Sequence, residues 1–396
     1  MRIGQILTSA RDGGLEKTVL QTCVGLRSRG HDVSVYALLP DNPGAEDFRA
    51  QGIPFRSFGA RNRGLTGIVS TAAAIPRLAG SLRRDRIDMV VVHDFFPAFA
   101  GRLAARLARI PLEIAVLHST YEWLGPRARV LDRLLANGTD AFVAVSEAAR
   151  EARLAWGGYD PAKIRVIHNG IDPGRFHPDP AARERIRAEF GIPSDALLAG
   201  SVGVVRESKR QTDLVNALVG AMASRRNLHL LLVGSTRPHE EAYARELERA
   251  LERLPAERVH RTGNRTDIPA ILAALDFYAA PSESEGFGLA LVEALLTGLP
   301  VVASSIPAHL EIAEGNPAVA FHSPRDPEAL GVLVARLLDA SAQGRPSGRD
   351  AVAAAFSEER MIERWSELVQ ALGKRPGAPS RSPSPPGTAH ATWRPS

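Results

Sequence analysis

The chain has 396 residues, of which 44% are hydrophobic and 23% charged, an ordinary composition for a globular protein of two or three domains. No apolar stretch approaches the roughly 18 residues that a membrane-spanning helix requires. The single cysteine, Cys23, excludes an intrachain disulfide framework and a cysteine-rich metal site. Because the first residues lack the long apolar run of a signal peptide, we expect a cytoplasmic protein.

Charge is distributed unevenly along the chain. Residues 1–168 contain 23 Lys and Arg against 16 Asp and Glu, whereas residues 169–373 contain 22 against 28. Two interpretations stay open: arginine-rich solvated faces, or a surface that meets an anionic acceptor on the inner face of a membrane. The arginines expected on such a surface lie on two predicted neighbouring helices: Arg83, Arg84 and Arg86, with Arg102, Arg106 and Arg109. A nucleic-acid partner is not expected, because only 6% of the residues are aromatic and no basic stretch interleaves them.

Short apolar runs alternate with amphipathic segments from the N-terminus onward. Strands are predicted at 2–7, 32–38, 53–58, 88–93, 112–117, 141–145 and 164–167, and again at 197–205, 228–233, 259–262, 276–280, 300–303 and 318–321. Helices are predicted between most of them, for example over 15–29 and 98–109. Near-continuous apolar strands such as Met89-Val90-Val91-Val92 are typical of parallel sheets covered on both faces. The alternation therefore predicts doubly wound α/β domains.

The pattern restarts once, which predicts two domains. Residues 168–180 contain Asn-Gly, Asp-Pro-Gly and two later prolines, a density of chain breakers typical of a linker. We predict an N-terminal domain over 1–168, a linker over 169–180, and a second domain over 181–348. A final helix over 349–373 could return to the first domain, and the tail 374–396, rich in Pro, Ser, Gly and Arg, is expected to be disordered.

The segment 281–294, PSESEGFGLALVEA, follows the strand predicted at 276–280 and carries the strongest chemical signal. A Gly-x-Gly turn that opens a helix exposes backbone N–H groups at the positive end of the helix dipole, where a diphosphate is a favourable ligand. Glu285 lies in the turn and Glu293 two turns along the helix, so both carboxylates could accept hydrogen bonds from hydroxyls of one ligand. The alternative is a surface turn with two solvated glutamates.

The text from Pro281 to Ser304 resembles the E-x7-E region of retaining glycosyltransferases of family 4, with Glu285 and Glu293 as the two glutamates. The likeness extends over nearly the whole chain up to the tail, through Asp12-Gly13-Gly14, Gly30-His31-Asp32-Val33 and residues 166–172, VIHNGID. This resemblance implies the GT-B fold, in which two Rossmann-like, doubly wound parallel-sheet domains face each other across a cleft. It also implies transfer from a nucleotide-sugar donor to a sugar, lipid-linked or small-molecule acceptor, in polysaccharide, lipid-linked glycan or glycoconjugate biosynthesis. The domain 1–168 would then lie on the acceptor side, and the domain 181–348 would bind the nucleotide sugar.

The resemblance assigns roles to individual residues of the donor site. Glu285 would contact hydroxyls of the donor sugar, and Glu293 would contact the ribose. The turn amides that would hold the diphosphate belong to Gly286, Phe287, Gly288 and Leu289. Gly13 and Gly14, after the first strand, would let the backbone approach a phosphate or the reacting sugar, although such a turn can also be purely structural.

Three further residues are candidates for the reaction itself. Lys209, in a loop after the strand at 197–205, can neutralise charge on a leaving diphosphate, as the matching lysine of the family does. The family's arginine five residues earlier is Val204 here, so Arg206 could substitute for it, or both could be solvated residues. His118 ends a strand and matches the family histidine that meets the transferred sugar, with a structural histidine as the alternative. His93-Asp94 could face the acceptor or cap the next helix.

The chain contains no Asp-x-Asp pair, the motif that often bridges a cation and a diphosphate. Backbone amides, the helix dipole and Lys209 can supply the countercharge, so we expect no metal and no other cofactor. No obvious general base stands out, which fits the retaining chemistry of the family, where the leaving phosphate takes the acceptor's proton. Two alternatives stay open: a sugar-nucleotide 2-epimerase of the same fold, and a non-catalytic protein that binds sugar nucleotides.

Overall fold

The computed structural model describes residues 1–11, 13–60, 64–121, 124–237, 240–339 and 348–374, and it describes only the backbone of 64–66, 68 and 96–98. By their internal contacts these residues form two compact units. The first comprises Met1–Val145, Ala152–Ile167 and the described residues from Met361 onward, and the second comprises Ser146–Glu151 and His168–Arg360. The domain boundaries derived from the sequence stay predictions, and the tail at 375–396 lies outside the described residues.

A parallel sheet of seven strands forms the centre of the first unit, in the order β3-β2-β1-β4-β5-β6-β7. The strands are β1 (Arg2–Leu7), β2 (Asp32–Ala37), β3 (Phe55–Ser57), β4 (Met89–His93), β5 (Leu112–Leu117), β6 (Ala141–Ala144) and β7 (Ile164–Val166). The helices between them are α1 (Gly14–Ser28), α2 (Ala45–Ala50), α3 (Gly64–Arg84), α4 (Phe95–Ala108), α5 (Pro126–Ala136) and α6 (Glu147–Ala155). Every residue of β4 and β5 is buried, as expected for central strands covered by helices on both faces.

A second parallel sheet, of six strands in the order β10-β9-β8-β11-β12-β13, forms the centre of the second unit. Its strands are β8 (Leu197–Val202), β9 (Leu228–Val233), β10 (Val259–Arg261), β11 (Phe277–Ala280), β12 (Val301–Ser304) and β13 (Val319–His322). The later helices are α7 (Pro180–Glu189), α8 (Gln211–Ser224), α9 (Glu241–Leu251), α10 (Ile268–Ala274), α11 (Leu289–Leu296), α12 (Pro307–Ala313), α13 (Pro327–Asp339), α14 (Arg349–Ala355) and α15 (Glu358–Gly373).

The prediction of two doubly wound parallel sheets is confirmed. Each strand predicted from the sequence is present, with ends that agree to within three residues. The strand predicted over 197–205 ends at Val202, because the chain then turns through Gly203, whose φ of 157° is far from that of a parallel strand. The helical stretch predicted over 349–373 comprises two helices, α14 and α15, separated at Phe356 and Ser357.

Helix α15 packs within the first unit, at a point where α1 carries a glycine. A Cβ on Gly25 of α1 would lie 2.5 Å from the Ile362 side chain, closer than side-chain carbons normally approach. The inner face of α15 also buries Trp365, Val369 and Leu372. Glycine therefore allows α15 to approach α1 closely and to bury this face.

Both sheets reverse their strand order beside their first strand. In the first unit, β1 lies between β2 and β4, and in the second unit β8 lies between β9 and β11. At such a point the helices that follow the two neighbouring strands lie on opposite faces of the sheet, and the carboxyl ends of the strands border a crevice. Ligand-binding groups are therefore expected in the residues after β1, β4 and β5 and in those after β8, β11 and β12.

Candidate functional site

A pocket lies at the carboxyl end of the second sheet. It is bordered by the segments that follow β8, β11 and β12, which flank the reversal of strand order. Its polar side chains are Ser201, Lys209, Gln211, Tyr278, Ser282, Glu285 and His309. Gly288 and Leu291, at the beginning of α11, also line it. The pocket thus combines a cation, a carboxylate and a helix N-terminus.

Lys209 and Glu285 form an ion pair at the centre of this pocket. Lys209 Nζ lies 2.5 Å from Glu285 Oε1, and Ser282 Oγ donates to the same oxygen at 2.8 Å. Burial by itself raises the pKa of Glu285, but the charge of Lys209 and the hydrogen bonds from Lys209 and Ser282 outweigh it and hold the pKa below its usual value. Glu285 is therefore an anion at neutral pH. The structure brings these two predicted residues together.

His309, which has no signature in the sequence motifs, lines the same pocket from α12. Its Nδ1 lies 3.0 Å from the carbonyl oxygen of Ser304, so Nδ1 carries the hydrogen and Nε2 is free to accept. Burial lowers the pKa of His309 to about 4, against the opposing effect of Glu285. The ring is neutral at pH 7. The sequence could have indicated His309 as a pocket residue only through its place in the helix that follows β12, because chain segments after central strands border the crevice.

The turn before α11 has the geometry expected of an anion site. Gly288 has φ 111°, a left-handed conformation that glycine adopts without strain, and α11 begins at the next residue, Leu289. The first N–H groups of a helix have no carbonyl partner within it, so Leu289 and its successor present amide hydrogens at the pocket end of α11. The carbonyl of Gly286 accepts a hydrogen bond from Ser146 Oγ at 2.5 Å, which fixes the start of the turn.

Two other predicted donor-site residues lie away from the pocket lining. The Phe287 side chain is buried against the rings of His168 and Phe356, with ring centroids 5.8 and 5.4 Å away, so only its amide is available to a ligand. Glu293 is half-buried on α11, and its charge raises the pKa of Tyr278, after the larger effect of burial. Since Tyr278 lines the pocket, Glu293 lies within electrostatic reach of it.

Arg206 is not brought to the pocket. Its Nε donates to Ser208 Oγ at 2.6 Å, and among the described residues the pocket lining includes Lys209 but not Arg206. Val204, which occupies the position of the family's arginine, contributes its carbonyl to a hydrogen bond from Gln211 at 3.0 Å. The substitution of Arg206 for the missing arginine stays a prediction without support from its position.

In the first unit, His118 directly follows β5, and it lies beside His93, which ends β4. The two rings are stacked with centroids 5.2 Å apart, and His118 Nε2 lies 2.9 Å from His93 Nδ1. Burial lowers the pKa of both rings, that of His93 further through His118, whereas Asp94 opposes the shift at His118. Asp94 precedes α4 but makes no side-chain cap there, and its Oδ1 accepts from the Tyr121 hydroxyl at 3.1 Å.

The glycine turn after β1 is described in part. Gly13 is the N-cap of α1 with an extended backbone, and Gly14 is the first residue of that helix. Gly14 is exposed and Gly13 half-buried. Asp12, the first residue of the predicted turn, lies outside the described residues. Among the described residues no side-chain hydrogen bond caps α1 at Gly13, and close approach of a phosphate or sugar to this turn stays a prediction.

The prediction that Arg102 belongs to an exposed basic surface is wrong. Its side chain is 1% exposed and pairs with Asp132 of α5, because this face of α4 packs inward. Asp132 also pairs with Arg153, and although burial raises its pKa, the two guanidinium groups hold that pKa below the usual value. The other arginines of the predicted surface are exposed: Arg83, Arg84, Arg86, Arg106 and Arg109.

Membrane-spanning helices and metal-binding clusters are both absent from the described residues. No helix in the described ranges is both long enough and apolar enough to cross a bilayer. The described side chains include no group of three or more His, Cys, Asp or Glu arranged to hold a metal ion. Whether the reaction needs a metal stays a prediction.

Two family sequence models match consecutive parts of the chain. The first, Glycosyltransferase Family 4, matches residues 12–175, and the second, Glycosyl transferases group 1, matches residues 196–340. The two matched regions include all the candidate residues described above. The first match includes β2 to β7 of the first sheet, and the second includes all six strands of the second sheet.

Individual relatives and a solved structure agree with these matches. The chain is 33% identical to the lipopolysaccharide core biosynthesis mannosyltransferase LpsB of Rhizobium meliloti over 152 residues, which are 38% of this chain and 43% of that enzyme. It is 26% identical to D-inositol 3-phosphate glycosyltransferase of Mycolicibacterium smegmatis over 74% of this chain and 71% of that one. The crystal structure of Anabaena Alr3699/HepE in complex with UDP and glucose is similar in fold, with a TM-score of 0.84 and 22% identity over 94% of this chain and 100% of that one.

Proposed function

We propose that this chain, which belongs to glycosyltransferase family 4, moves a sugar from a nucleotide-sugar donor to an acceptor hydroxyl and retains the configuration of the anomeric carbon. The observation that carries this proposal is the Lys209–Glu285 pair beside the N-terminus of α11. A nucleotide sugar requires a cation and amides for its diphosphate and a carboxylate for its sugar hydroxyls. The pocket of the second unit offers all three.

Donor binding would exchange the partners of the ion pair. The phosphate oxygens attract Lys209, which leaves Glu285 free to accept hydrogen bonds from the hydroxyls of the donor sugar. As the sugar gains positive charge in the transition state, the Glu285 carboxylate stabilises it, while Lys209 and the amides of Gly286, Phe287, Gly288 and Leu289 stabilise the leaving diphosphate. Glu293, farther along α11, is proposed to contact the ribose.

Retention follows if the leaving group itself takes the proton. In this step the bond from the anomeric carbon to the phosphate oxygen breaks, and the acceptor oxygen bonds to the same face of the sugar. The acceptor's proton passes to the departing phosphate, so the diphosphate leaves with one added proton and no separate general base is required. His118 is proposed to contact the transferred sugar, and Gly13 and Gly14 to allow close approach of the backbone to it.

The acceptor class is proposed from the relatives and from the surface of the first unit. LpsB acts in lipopolysaccharide core biosynthesis, which supports a glycan or glycoconjugate acceptor, including one linked to lipid. Helix α5 presents three apolar side chains to solvent, Val130, Leu131 and Leu134, which are 54%, 38% and 66% exposed. With exposed Arg127 on the same helix, this face has the composition of a helix that lies in the surface of an anionic membrane. We propose peripheral attachment through α5.

A panel of UDP-, GDP-, ADP- and dTDP-sugars tests the proposal. One donor should raise the melting temperature and be consumed only when an acceptor such as a lipid-linked sugar or inositol phosphate is present, with the product's anomeric configuration read by NMR. Conversion of the donor to its 2-epimer without acceptor would establish the epimerase instead. Binding without turnover under any acceptor would establish a binding protein. Absence of any thermal shift across the panel would contradict the donor site itself.

A further inference from the structure

A line of hydrogen bonds leads from the interior of the first sheet to the His118 ring. Gln5 Oε1 lies 2.6 Å from His93 Nε2, and His93 Nδ1 lies 2.9 Å from His118 Nε2. Gln5 lies in β1, His93 ends β4 and His118 directly follows β5, and these three strands are consecutive neighbours in the sheet. Gln5 is 0% and His93 3% exposed, so water does not compete for either bond, whereas His118 is half-buried.

The acceptor at the beginning of this line, Gln5 Oε1, determines which ring nitrogen carries the hydrogen in His93 and in His118. An amide oxygen only accepts, so His93 Nε2 carries the ring hydrogen. A neutral imidazole has a single N–H, which makes His93 Nδ1 an acceptor and assigns the hydrogen between the two rings to His118 Nε2. The other ring nitrogen of His118, Nδ1, is then left without a hydrogen.

We propose that Gln5 and His93 are positioning residues that hold His118 as its Nε2–H tautomer, so that Nδ1 accepts a hydrogen bond from a hydroxyl of the substrate. This inference rests on the proposed function, since it takes the partner of His118 to be a sugar hydroxyl. A histidine held as the other tautomer would present an N–H to that hydroxyl. The hydroxyl would then have to turn so that its oxygen accepts the hydrogen bond. The line of three residues therefore selects how the sugar is oriented.

The surroundings of the two rings keep both of them neutral. Burial lowers the pKa of both His93 and His118, and at His93 the charge of a protonated His118 lowers it further. The groups that face the pair are Asp94, whose charge favours protonation of His118, and the Tyr121 hydroxyl, which accepts from the His118 amide at 3.3 Å. A proton on His93 Nδ1 would put two donors face to face, and a proton on His118 Nδ1 would remove the acceptor that a substrate hydroxyl needs, so both rings must be neutral.

The backbone beside both histidines is held in an uncommon conformation. Asp94, which follows His93, has φ 62°, and Tyr121, three residues after His118, has φ 54°. Left-handed values are strained for residues other than glycine and persist where the surroundings fix them, commonly at functional sites. The Tyr121 hydroxyl joins the two strained residues, since it donates to Asp94. The ends of β4 and β5 are thereby fixed relative to each other.

Nitrogen-15 NMR of the full chain, labelled at histidine, tests the tautomer without any substrate. At pH 7 we expect His93 and His118 both to bear the hydrogen on Nε2. Gln5 Nε2 has no hydrogen-bond partner in the described part of the chain. The experiment must therefore distinguish the two orientations of the Gln5 amide, one with Oε1 and one with Nε2 facing His93. Gln5→Glu does so, because a carboxylate only accepts and should preserve the His118 tautomer. A His118 ring with its hydrogen on Nδ1, in the wild type or in Gln5→Glu, would overturn the proposal.

The pH dependence of turnover gives the second readout. A carboxylate at position 5 raises the pKa of His93, by about one unit or more for an opposite charge at hydrogen-bond distance. Once His93 is protonated, its Nδ1 becomes a donor and His118 must give up the Nε2 hydrogen. The acid limb of the kcat profile should therefore move to higher pH in Gln5→Glu, with donor KM unchanged at pH 8. An unshifted acid limb would contradict the proposal, because no shift is expected if the role of Gln5 is merely structural.

Two further variants complete the design. His93→Phe keeps a ring stacked on His118 but removes the hydrogen bonds to Gln5 and to His118. Because His118 itself loses one hydrogen bond, kcat should fall about tenfold or more, while nucleotide affinity is kept. Wild-type kcat in His93→Phe would overturn the positioning role. Gln370→Glu, the same substitution at an exposed site on α15, should match the wild type throughout. If no donor is turned over at all, the proposed function fails, and the NMR result still decides the tautomer.

Discussion

In the pocket of the second unit, the Lys209 ammonium and the Glu285 carboxylate neutralise each other before any ligand arrives. Their side chains are 23% and 15% exposed, so removal of either one leaves the other as a poorly solvated charge. The pair also keeps the ligand-free pocket ready to bind a diphosphate. Lys209 is held within 2.5 Å of the carboxylate and needs only to exchange one anion for another when a diphosphate binds.

Replacement of Glu285 by glutamine should separate catalysis from binding. The amide keeps the size of the side chain and part of its hydrogen bonding, but it removes a negative charge that acts most strongly in the transition state. We expect kcat to fall about a hundredfold, by analogy with the loss of one electrostatic stabiliser. Affinity for the free nucleoside diphosphate should not decrease, because Lys209 loses its competing anion. Steady-state kinetics and calorimetric titration measure the two quantities.

Glu293→Gln is the matched control for this experiment. It makes the same chemical change eight residues later, on the helix rather than in the turn. Because ribose does not change during the reaction, this variant should raise donor KM with a smaller effect on kcat. Wild-type turnover in Glu285→Gln would contradict the placement of the sugar. Equal effects on KM alone in both variants would mean that the two carboxylates hold one static group.

His309 should make the stability of the protein sensitive to mild acid. Its pKa is about 4 in the folded protein, against 6.5 for an unperturbed histidine, so between these values the unfolded chain binds more protons. Stability is therefore complete above pH 6.5 and is lost as the pH falls towards 4. At pH 5 the loss from this one ring should be about 2 kcal/mol relative to pH 7. Urea unfolding at the two pH values measures it.

The variant His309→Gln isolates this contribution from that of the other histidines. An amide at this position can still donate to the Ser304 carbonyl but does not titrate. The difference in unfolding free energy between pH 7 and pH 5 should therefore be smaller in the variant than in the wild type, by about 2 kcal/mol. An identical difference in the two proteins would show that His309 does not titrate in this range.

At the scale of elements, the close contact of α1 with α15 depends on Gly25. Alanine usually stabilises a helix interior relative to glycine by about 1 kcal/mol. Here the added Cβ would lie 2.5 Å from Ile362, so Gly25→Ala should instead destabilise the first unit, by about 1–3 kcal/mol as for other overpacked cores. Ile362→Ala in the same chain should reduce that cost by making room. Thermal and chemical unfolding measure the change.

Gly80→Ala in α3 provides the control for this substitution. Gly80 lies inside a helix of the same unit, and a Cβ there would meet nothing within 4 Å. The change should raise stability by up to about 1 kcal/mol, through helix propensity alone. If Gly25→Ala behaved like Gly80→Ala, α15 would not pack on α1 as the structure shows.

The exposed apolar face of α5 should bind anionic membranes. Leu131→Ser combined with Leu134→Ser removes two of its three exposed apolar side chains without touching the buried Asp132 and Leu135. We expect wild-type protein to sediment with vesicles that contain phosphatidylglycerol in preference to neutral vesicles, and the double variant to lose most of this binding. High salt should weaken the wild-type binding in part, because only the arginine contribution is screened.

Val332→Ser serves as the comparison for a generic loss of surface hydrophobicity. Val332 is 52% exposed on α13 of the second unit, far in sequence from α5. This variant should bind vesicles like the wild type. Equal binding of anionic and neutral vesicles by the wild type, or unaltered binding by the α5 double variant, would rule out α5 as the attachment site.

At the scale of the whole molecule, local patterning was enough to predict both sheets. Strands such as β4, buried on both faces, are apolar throughout, and chain breakers separate them from amphipathic helices. The E-x7-E segment was equally local, because its turn, helix and glutamates are contiguous in sequence. Glu285 and Lys209, by contrast, are 76 residues apart, and only the common crevice after β8 and β11 places both in one pocket.

What could not be predicted depends on which face of an element turns inward. The charge of Arg102 favours an exposed position, but the helix phase turns it towards Asp132, a partner 30 residues away. His309 has no motif of its own and becomes part of the pocket only because α12 follows a central strand. Phe287 belongs to the binding motif in sequence, yet its ring packs in the interior of the second unit and leaves only its amide to a ligand.

The folding stability of the whole chain should report donor binding without metal. A ligand that binds only the folded state adds about 2.7 kcal/mol of stability at 100 times its Kd. If Lys209 and the α11 amides supply the countercharge, UDP, GDP, ADP or dTDP, whichever binds, should give this gain equally with EDTA and with Mg²⁺. Lys209→Met should lose most of the gain, whereas Lys163→Met, in the first unit, should keep it. Scanning calorimetry measures the shift. A gain that EDTA abolishes would mean that a cation takes the part assigned to Lys209, and a full gain in Lys209→Met would mean that the diphosphate binds elsewhere.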